Sequence, residues 1–205
     1  MPFKRRDYLA LAGRVGPADV TSFYGGELRE LFAQAIDGDV RVVWLQGASG
    51  SGCTISLLEN ISPGLMDIII GFRRAVDFYP TLMGPSSDRA LLSLTHALAG
   101  KTPLDLLVIE GEASGNGLCS AGGSTGRLVP FETWVKDLAA AAKTIVTVGT
   151  CAEAARLADG APVMKVPGCP ADAYRLLLTL ATALSNSSHR PVLEASPRSI
   201  LRIRS

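Results

Sequence analysis

The sequence predicts an open α/β fold, a parallel sheet with helices on both faces, and three observations carry that expectation. Short apolar runs alternate with stretches of helical period along most of the chain. The strand-like runs are apolar throughout, as strands covered on both faces must be. The loops after those runs are the Gly-rich ones and hold the cysteines, and in open α/β sheets ligands bind at the edge where the strands end.

Residues 1–39 read as a leader and a helix, with Leu28, Leu31, Phe32 and Ile36 recurring at helical spacing. Residues 41–46 form a buried strand, and the Gly-rich stretch 47–52 leads into a helix from Thr54. Pro63 and Gly64 precede an apolar helix that includes Ile68, Ile69 and Ile70. Residues 75–79 form a strand, 88–99 a helix ended by Gly100, and 104–109 the next strand. A long loop rich in Gly, Ser and Asn runs from Glu110 to Arg127. A helix at 131–142, a strand at 144–148, a short helix after Cys151, a strand at 163–166 and a helix at 171–185 follow. The chain thus divides into a leader and helix (1–39), one α/β domain (40–186) and a polar, basic tail (187–205).

Composition removes several classes of function. A net charge of +1 gives no bulk attraction to nucleic acid or to an anionic membrane. The longest apolar run, 65–72, contains Asp67 and falls well short of the roughly 20 residues a membrane span needs, so no transmembrane segment is expected. Arg5-Arg6-Asp7-Tyr8-Leu9 resembles a twin-arginine export signal, but Arg14, Pro17 and Asp19 interrupt the apolar stretch behind it. The expected location is cytoplasmic. Apolar residues are 47% of the chain and charged residues 19%, a balance that leans toward a surface covered by a partner.

Four cysteines, at 53, 119, 151 and 169, are too few and too scattered for a disulfide framework. Inert core thiols, a metal site and a nucleophile remain open. No Cys or Ser stands beside a base in a local catalytic signature, and the short C-x-x-C knuckle of zinc sites is missing. His96 and His189 have no metal-ligand spacing.

Residues 47–54 also fit the phosphate-loop template G-x-x-x-x-G-K-S/T at every position except the lysine, which is Cys53. The strand end at Glu110 imitates the acidic residue that helps hold Mg²⁺. The loop lysine supplies the charge that meets the β and γ phosphates, and a cysteine has none to offer.

The same loop resembles the start of the small subunit of [NiFe] hydrogenases. Trp44-Leu45-Gln46-Gly47-Ala48 and Gly52-Cys53-Thr54 match that family's strand and first ligand motif. Phe78-Tyr79-Pro80-Thr81-Leu82-Met83, then Glu110-Gly111 with Gly115-Asn116-Gly117 and Gly126-Arg127, resemble its following segment and interface loop. Trp134-Val135-Lys136-Asp137-Leu138 resembles a helix of its uptake-type members. Val148-Gly149-Thr150-Cys151-Ala152 and Pro167-Gly168-Cys169-Pro170 match its remaining cysteine motifs. The ordered set spans roughly residues 41–185.

The resemblance implies a flavodoxin-like domain holding one iron–sulfur cluster, a [4Fe–4S] cluster of the proximal type, with Cys53, Cys151 and Cys169 as ligands. Soft thiolates suit such clusters, and four are the usual complement. Three departures accompany it. Gly50 stands where the family's first cysteine falls, which leaves Cys119 as the candidate fourth ligand. Ser49, Ser51, water or a three-iron cluster are the alternatives, and a spare thiol is the plainer view of Cys119. The Gly-Gly segment between the last two cysteine motifs is missing, and Pro170-Ala171-Asp172 replaces Pro-Pro-Asn-Pro. No cysteine follows Cys169, so the medial and distal clusters of standard members have no counterpart here.

What the resemblance implies is an electron-transferring subunit of a hydrogenase, an oxidoreductase whose Ni–Fe centre lies in a large-subunit partner. Electrons would leave to a further subunit, a diffusible carrier or a second copy of this chain. Glu110 would lie near the cluster and the partner, where proton movement has been proposed; a solvated loop carboxylate is the plainer alternative, and the better one for Glu112. A sensor or scaffold paralogue with a degenerate cluster site, the small cluster subunit of respiratory complex I, whose adjacent cysteine pair is missing here, and a lysine-less nucleotide module are the other candidates.

Overall fold

In the computed structural model, which describes residues 40–48, 50–60, 75–84, 87–113, 120–122, 128–154, 157 and 161–187, the apolar run at 104–109 lies where such a run must, in the middle of a sheet. It forms β3 (Leu104–Glu110), buried at every position. β1 (Val42–Gln46) pairs in parallel with one side of β3 and β6 (Ala142–Val148) with the other. β2 (Val76–Phe78) lies outside β1 and β7 (Val163–Val166) outside β6, again in parallel. The order β2-β1-β3-β6-β7 becomes 2-1-3-4-5 when the strands of this sheet are counted along the chain, the flavodoxin-like arrangement.

Because successive strand residues point to opposite faces, each central strand feeds two cores. On one face Val42, Trp44, Leu106, Val108 and Val146 pack with Leu57 of α1 (Gly52–Asn60) and with Leu176 and Leu180 of α4 (Ala173–Ser187). On the other, Val43, Leu45, Leu107, Ile109 and Ile145 pack with Leu94 of α2 (Ser87–Leu98) and Trp134 and Leu138 of α3 (Phe131–Ala141). In α3 the buried residues Phe131, Trp134, Val135, Leu138 and Ala139 follow the helical stripe that the sequence displays. No described helix is long and apolar enough to cross a membrane.

The amino edge of the sheet is tied by charge. Asp105, buried in β3, pairs with Lys143 Nζ at 2.7 Å and accepts the Arg41 amide at 2.9 Å. The Arg41 guanidinium in turn reaches Asp77 Oδ1 at 2.9 Å.

The expected elements appear with shifted ends. α1 begins at Gly52, two residues before the expected start, so Cys53 is helical. Glu110 is the last residue of β3 and is buried, rather than the solvated start of a loop. The loop behind it also contains structure, since β4 (Ser120–Gly122) pairs antiparallel with β5 (Leu128–Pro130). Three-residue strands, one of them made of small residues, have no period from which to read them. The expected elements in 1–39, the helix around 68–70, Cys119 and the tail beyond residue 187 lie outside the described residues.

Leu180 is fully buried between α4 and the sheet, whereas Leu92 is 51% exposed on α2. Leu180→Ala is expected to lower stability by about 2–5 kcal/mol and Leu92→Ala by less than about 0.5 kcal/mol, as measured by urea unfolding.

Candidate metal centre

A parallel sheet delivers all its strand ends to one edge, and three of those ends here carry a thiol. Past β1 the chain enters α1, with Cys53 as its second residue. Past β6 it enters a 3₁₀ helix, Thr150–Ala154, that contains Cys151. Past β7 it runs through Pro167 and Gly168 to Cys169. The Cys151 and Cys169 turns are joined by two hydrogen bonds, Thr150 N–H to the Gly168 carbonyl at 2.9 Å and Gly168 N–H to Thr150 Oγ1 at 3.1 Å.

All three cysteines line one cavity of about 190 Å³, together with Glu110, Gly50 and Gly149. No lysine, arginine or histidine is among the described residues of its wall. Cys53 is buried, Cys151 half-buried and Cys169 exposed, and all three are free thiols. Among the described residues no three His, Cys, Asp or Glu side chains converge on a point where a single metal ion would sit. A lone zinc would need its sulfurs within about 4 Å of one another, whereas a polynuclear cluster needs them spread around it.

The walls suit such a group. The Ala171 amide donates to Cys53 Sγ at 3.2 Å, the type of hydrogen bond that steadies a ligating sulfur. Gly149 has φ +88°, and a Cβ built on it would stand 3.2 Å from Cys53 Sγ. Glycine therefore meets both demands there, the left-handed backbone and the space beside the sulfur. Gly50, at the position of the absent family cysteine, has φ +78° with nothing within 4 Å of where its Cβ would be.

Electrostatics favour a cation in this cavity. Burial pushes the Cys53 thiol up, the Ala171 amide opposes the rise, and Glu110, Cys169 and Cys151 add to it. The sulfur is thus held protonated until positive charge arrives, and metal binding would displace the proton.

Glu110 sets the position of the Cys53 wall. Its side chain, 1% exposed, accepts four hydrogen bonds. Trp44 Nε1 donates at 3.0 Å and Gln46 Nε2 at 3.1 Å, both to Oε2. The Thr54 amide donates to Oε1 at 2.9 Å, and the Thr54 hydroxyl donates to Oε2. Tyr79 OH donates to Thr54 Oγ1 at 2.8 Å, and the Tyr79 ring stacks on Trp44 with centroids 4.5 Å apart. This network was only partly visible in the sequence. An indole and an amide among aliphatic strand residues, Trp44 and Gln46, were the available signal.

The same contact weighs against a bound phosphate. In a phosphate loop the amides at the helix start face the anion, but here the Thr54 amide already holds a carboxylate. A phosphate beside it would meet like charge, with no lysine to offset it.

Residues 51–183 match the family model described as "NADH ubiquinone oxidoreductase, 20 Kd subunit". Among curated proteins, the periplasmic [NiFe] hydrogenase small subunit of Solidesulfovibrio fructosivorans is 30% identical over 186 residues, covering 81% of this chain and 56% of its own length. The periplasmic [NiFe] hydrogenase small subunit 1 of Nitratidesulfovibrio vulgaris is 27% identical, over 90% of this chain and 62% of its own. The chain therefore spans less than two thirds of the length of these relatives. A structure of the [NiFeSe] hydrogenase of Dm. baculatum shares the fold, with a TM-score of 0.59 and 23% identity over 76% of this chain and 67% of that one.

Two outcomes follow from the wall geometry. In metal-free protein Cys53, 8% exposed and with its thiol pushed up, should be alkylated by iodoacetamide at neutral pH more slowly than exposed Cys169, as resolved by peptide mass spectrometry. Gly149→Ala should cost at least the roughly 1–2 kcal/mol of a left-handed non-glycine residue. Gly84→Ala, where no atom lies within 4 Å of the new Cβ, should leave the urea midpoint nearly unchanged.

Proposed function

Because the chain belongs to the family of the NADH ubiquinone oxidoreductase 20 Kd subunit, we propose that it is the electron-transfer small subunit of a [NiFe] hydrogenase, an oxidoreductase acting on hydrogen. The observation that carries this is the convergence of Cys53, Cys151 and Cys169, distant in sequence, on one cavity at the carboxyl edge of the sheet, with no cationic side chain among the described residues of its wall. The relatives named as hydrogenase small subunits support the same assignment.

The cavity would hold one iron–sulfur cluster of the [4Fe–4S] type, which supplies a one-electron carrier when bound. Cys53, Cys151 and Cys169 provide three thiolates, and Cys119 is proposed as the fourth. The chain's own contribution is to place the sulfurs and donate the Ala171 amide to one of them. The Ni–Fe site and hydrogen chemistry belong to a large-subunit partner, and electrons pass on to a further subunit or carrier.

A second possibility, a sensor or scaffold with a degenerate cluster site, is favoured by Gly50, which offers no ligand in an otherwise open position.

Iron and acid-labile sulfide, measured on the anaerobically purified complex with EPR of the reduced sample, test the proposal. About four irons and four sulfides per chain, with a signal altered in Cys119→Ala, are expected. A folded complex without iron would remove the carrier role and leave the sensor or scaffold.

A further inference from the structure

We propose that Glu110 is a positioning residue for the ligand Cys53, tying the first turn of α1 to the end of β3, and that its charge at the cavity wall makes a bound cluster harder to reduce. This rests on the cluster-bearing role proposed above and concerns a residue that supplies no sulfur.

The anchoring follows from who donates to whom. All four hydrogens that reach the Glu110 side chain come from donors: the Trp44 indole, the Gln46 amide, the Thr54 amide and the Thr54 hydroxyl. The hydroxyl is free to donate because Tyr79 OH and Gln46 Nε2 both donate to it, at 2.8 and 3.1 Å. The donors thus point one way, toward the Glu110 side chain, the pattern of a carboxylate accepting four hydrogen bonds. Thr54 follows Cys53 directly, so the contact fixes the backbone that carries the sulfur. It also lies at the helix start, where a carboxylate is favoured by the helix dipole.

Charge and shape can be separated by substitution. Glutamine has the same reach but brings an NH₂ group, which must face one of the four donors, and it removes the charge. Aspartate keeps the charge but is one methylene short of the Thr54 amide. Fixed negative charge beside a redox centre disfavours an added electron, and Glu110 is itself 1% exposed. Glu110 lines the same cavity as the three cysteines.

The test compares the holo complex of wild type, Glu110→Gln and Glu110→Asp by iron and sulfide content and by EPR-monitored potentiometric titration. A loaded Glu110→Gln complex should titrate at a more positive midpoint than wild type, with Glu110→Asp close to wild type. An unchanged midpoint in loaded Glu110→Gln overturns the inference and leaves the cluster assignment standing. Wild type without iron overturns both. If Glu110→Gln does not fold, Glu110→Asp carries the test: in the metal-free full chain its Cys53 should be alkylated faster than in wild type. An equal rate in folded Glu110→Asp overturns the anchoring.

Discussion

Glu110 stands at the end of the most buried strand, and a carboxylate there is tolerated only if its lone pairs are filled. The fold around it meets that demand. β1 contributes the Trp44 indole and the Gln46 amide, and α1 contributes an amide and a hydroxyl. Strand, neighbouring strand and helix start are thus fastened at one point. Trp44 is additionally held by its stack on Tyr79, so the aromatic pair braces the carboxylate from behind. The edge that carries the sulfurs inherits its geometry from this knot, because Cys53 is covalently next to Thr54.

The two edges of the sheet treat charge differently. At the amino edge, Arg41 and Lys143 are spent in ion pairs with Asp77 and Asp105. At the carboxyl edge the described cavity wall has thiols and a carboxylate but no basic side chain. A surface pair adds little to stability on its own. The arrangement nevertheless leaves the thiol-bearing edge as the place where a cationic inorganic group finds compensation.

The central fold was legible because its signals are redundant. Apolar strand runs, helical stripes such as that of α3 and the Gly-rich turns all point to one parallel sheet. Of the four cysteines, the three singled out by their motifs line one cavity, and the fourth lies outside the described residues. What the sequence concealed was spatial. Glu110 looks like the opening of a loop because the residues after it are glycine-rich and polar, yet β3 extends one residue further to take it into the core. Its donors are 56 to 66 positions away, and single-sequence periodicity contains no information at that range. The hairpin of β4 and β5 was missed for a different reason, since its strands are too short to alternate.

The amide that supports Cys53 belongs to Ala171, 118 residues further along. Chains are made from the amino end, and a domain closes only when its last packing element has emerged. Cys53 therefore leaves the ribosome long before the turns bearing its fellow thiols, and α4, which covers that face of the sheet, follows them. The pocket can therefore close only after the segment through α4 has been made, so Cys53 waits for a partner encoded 118 residues downstream.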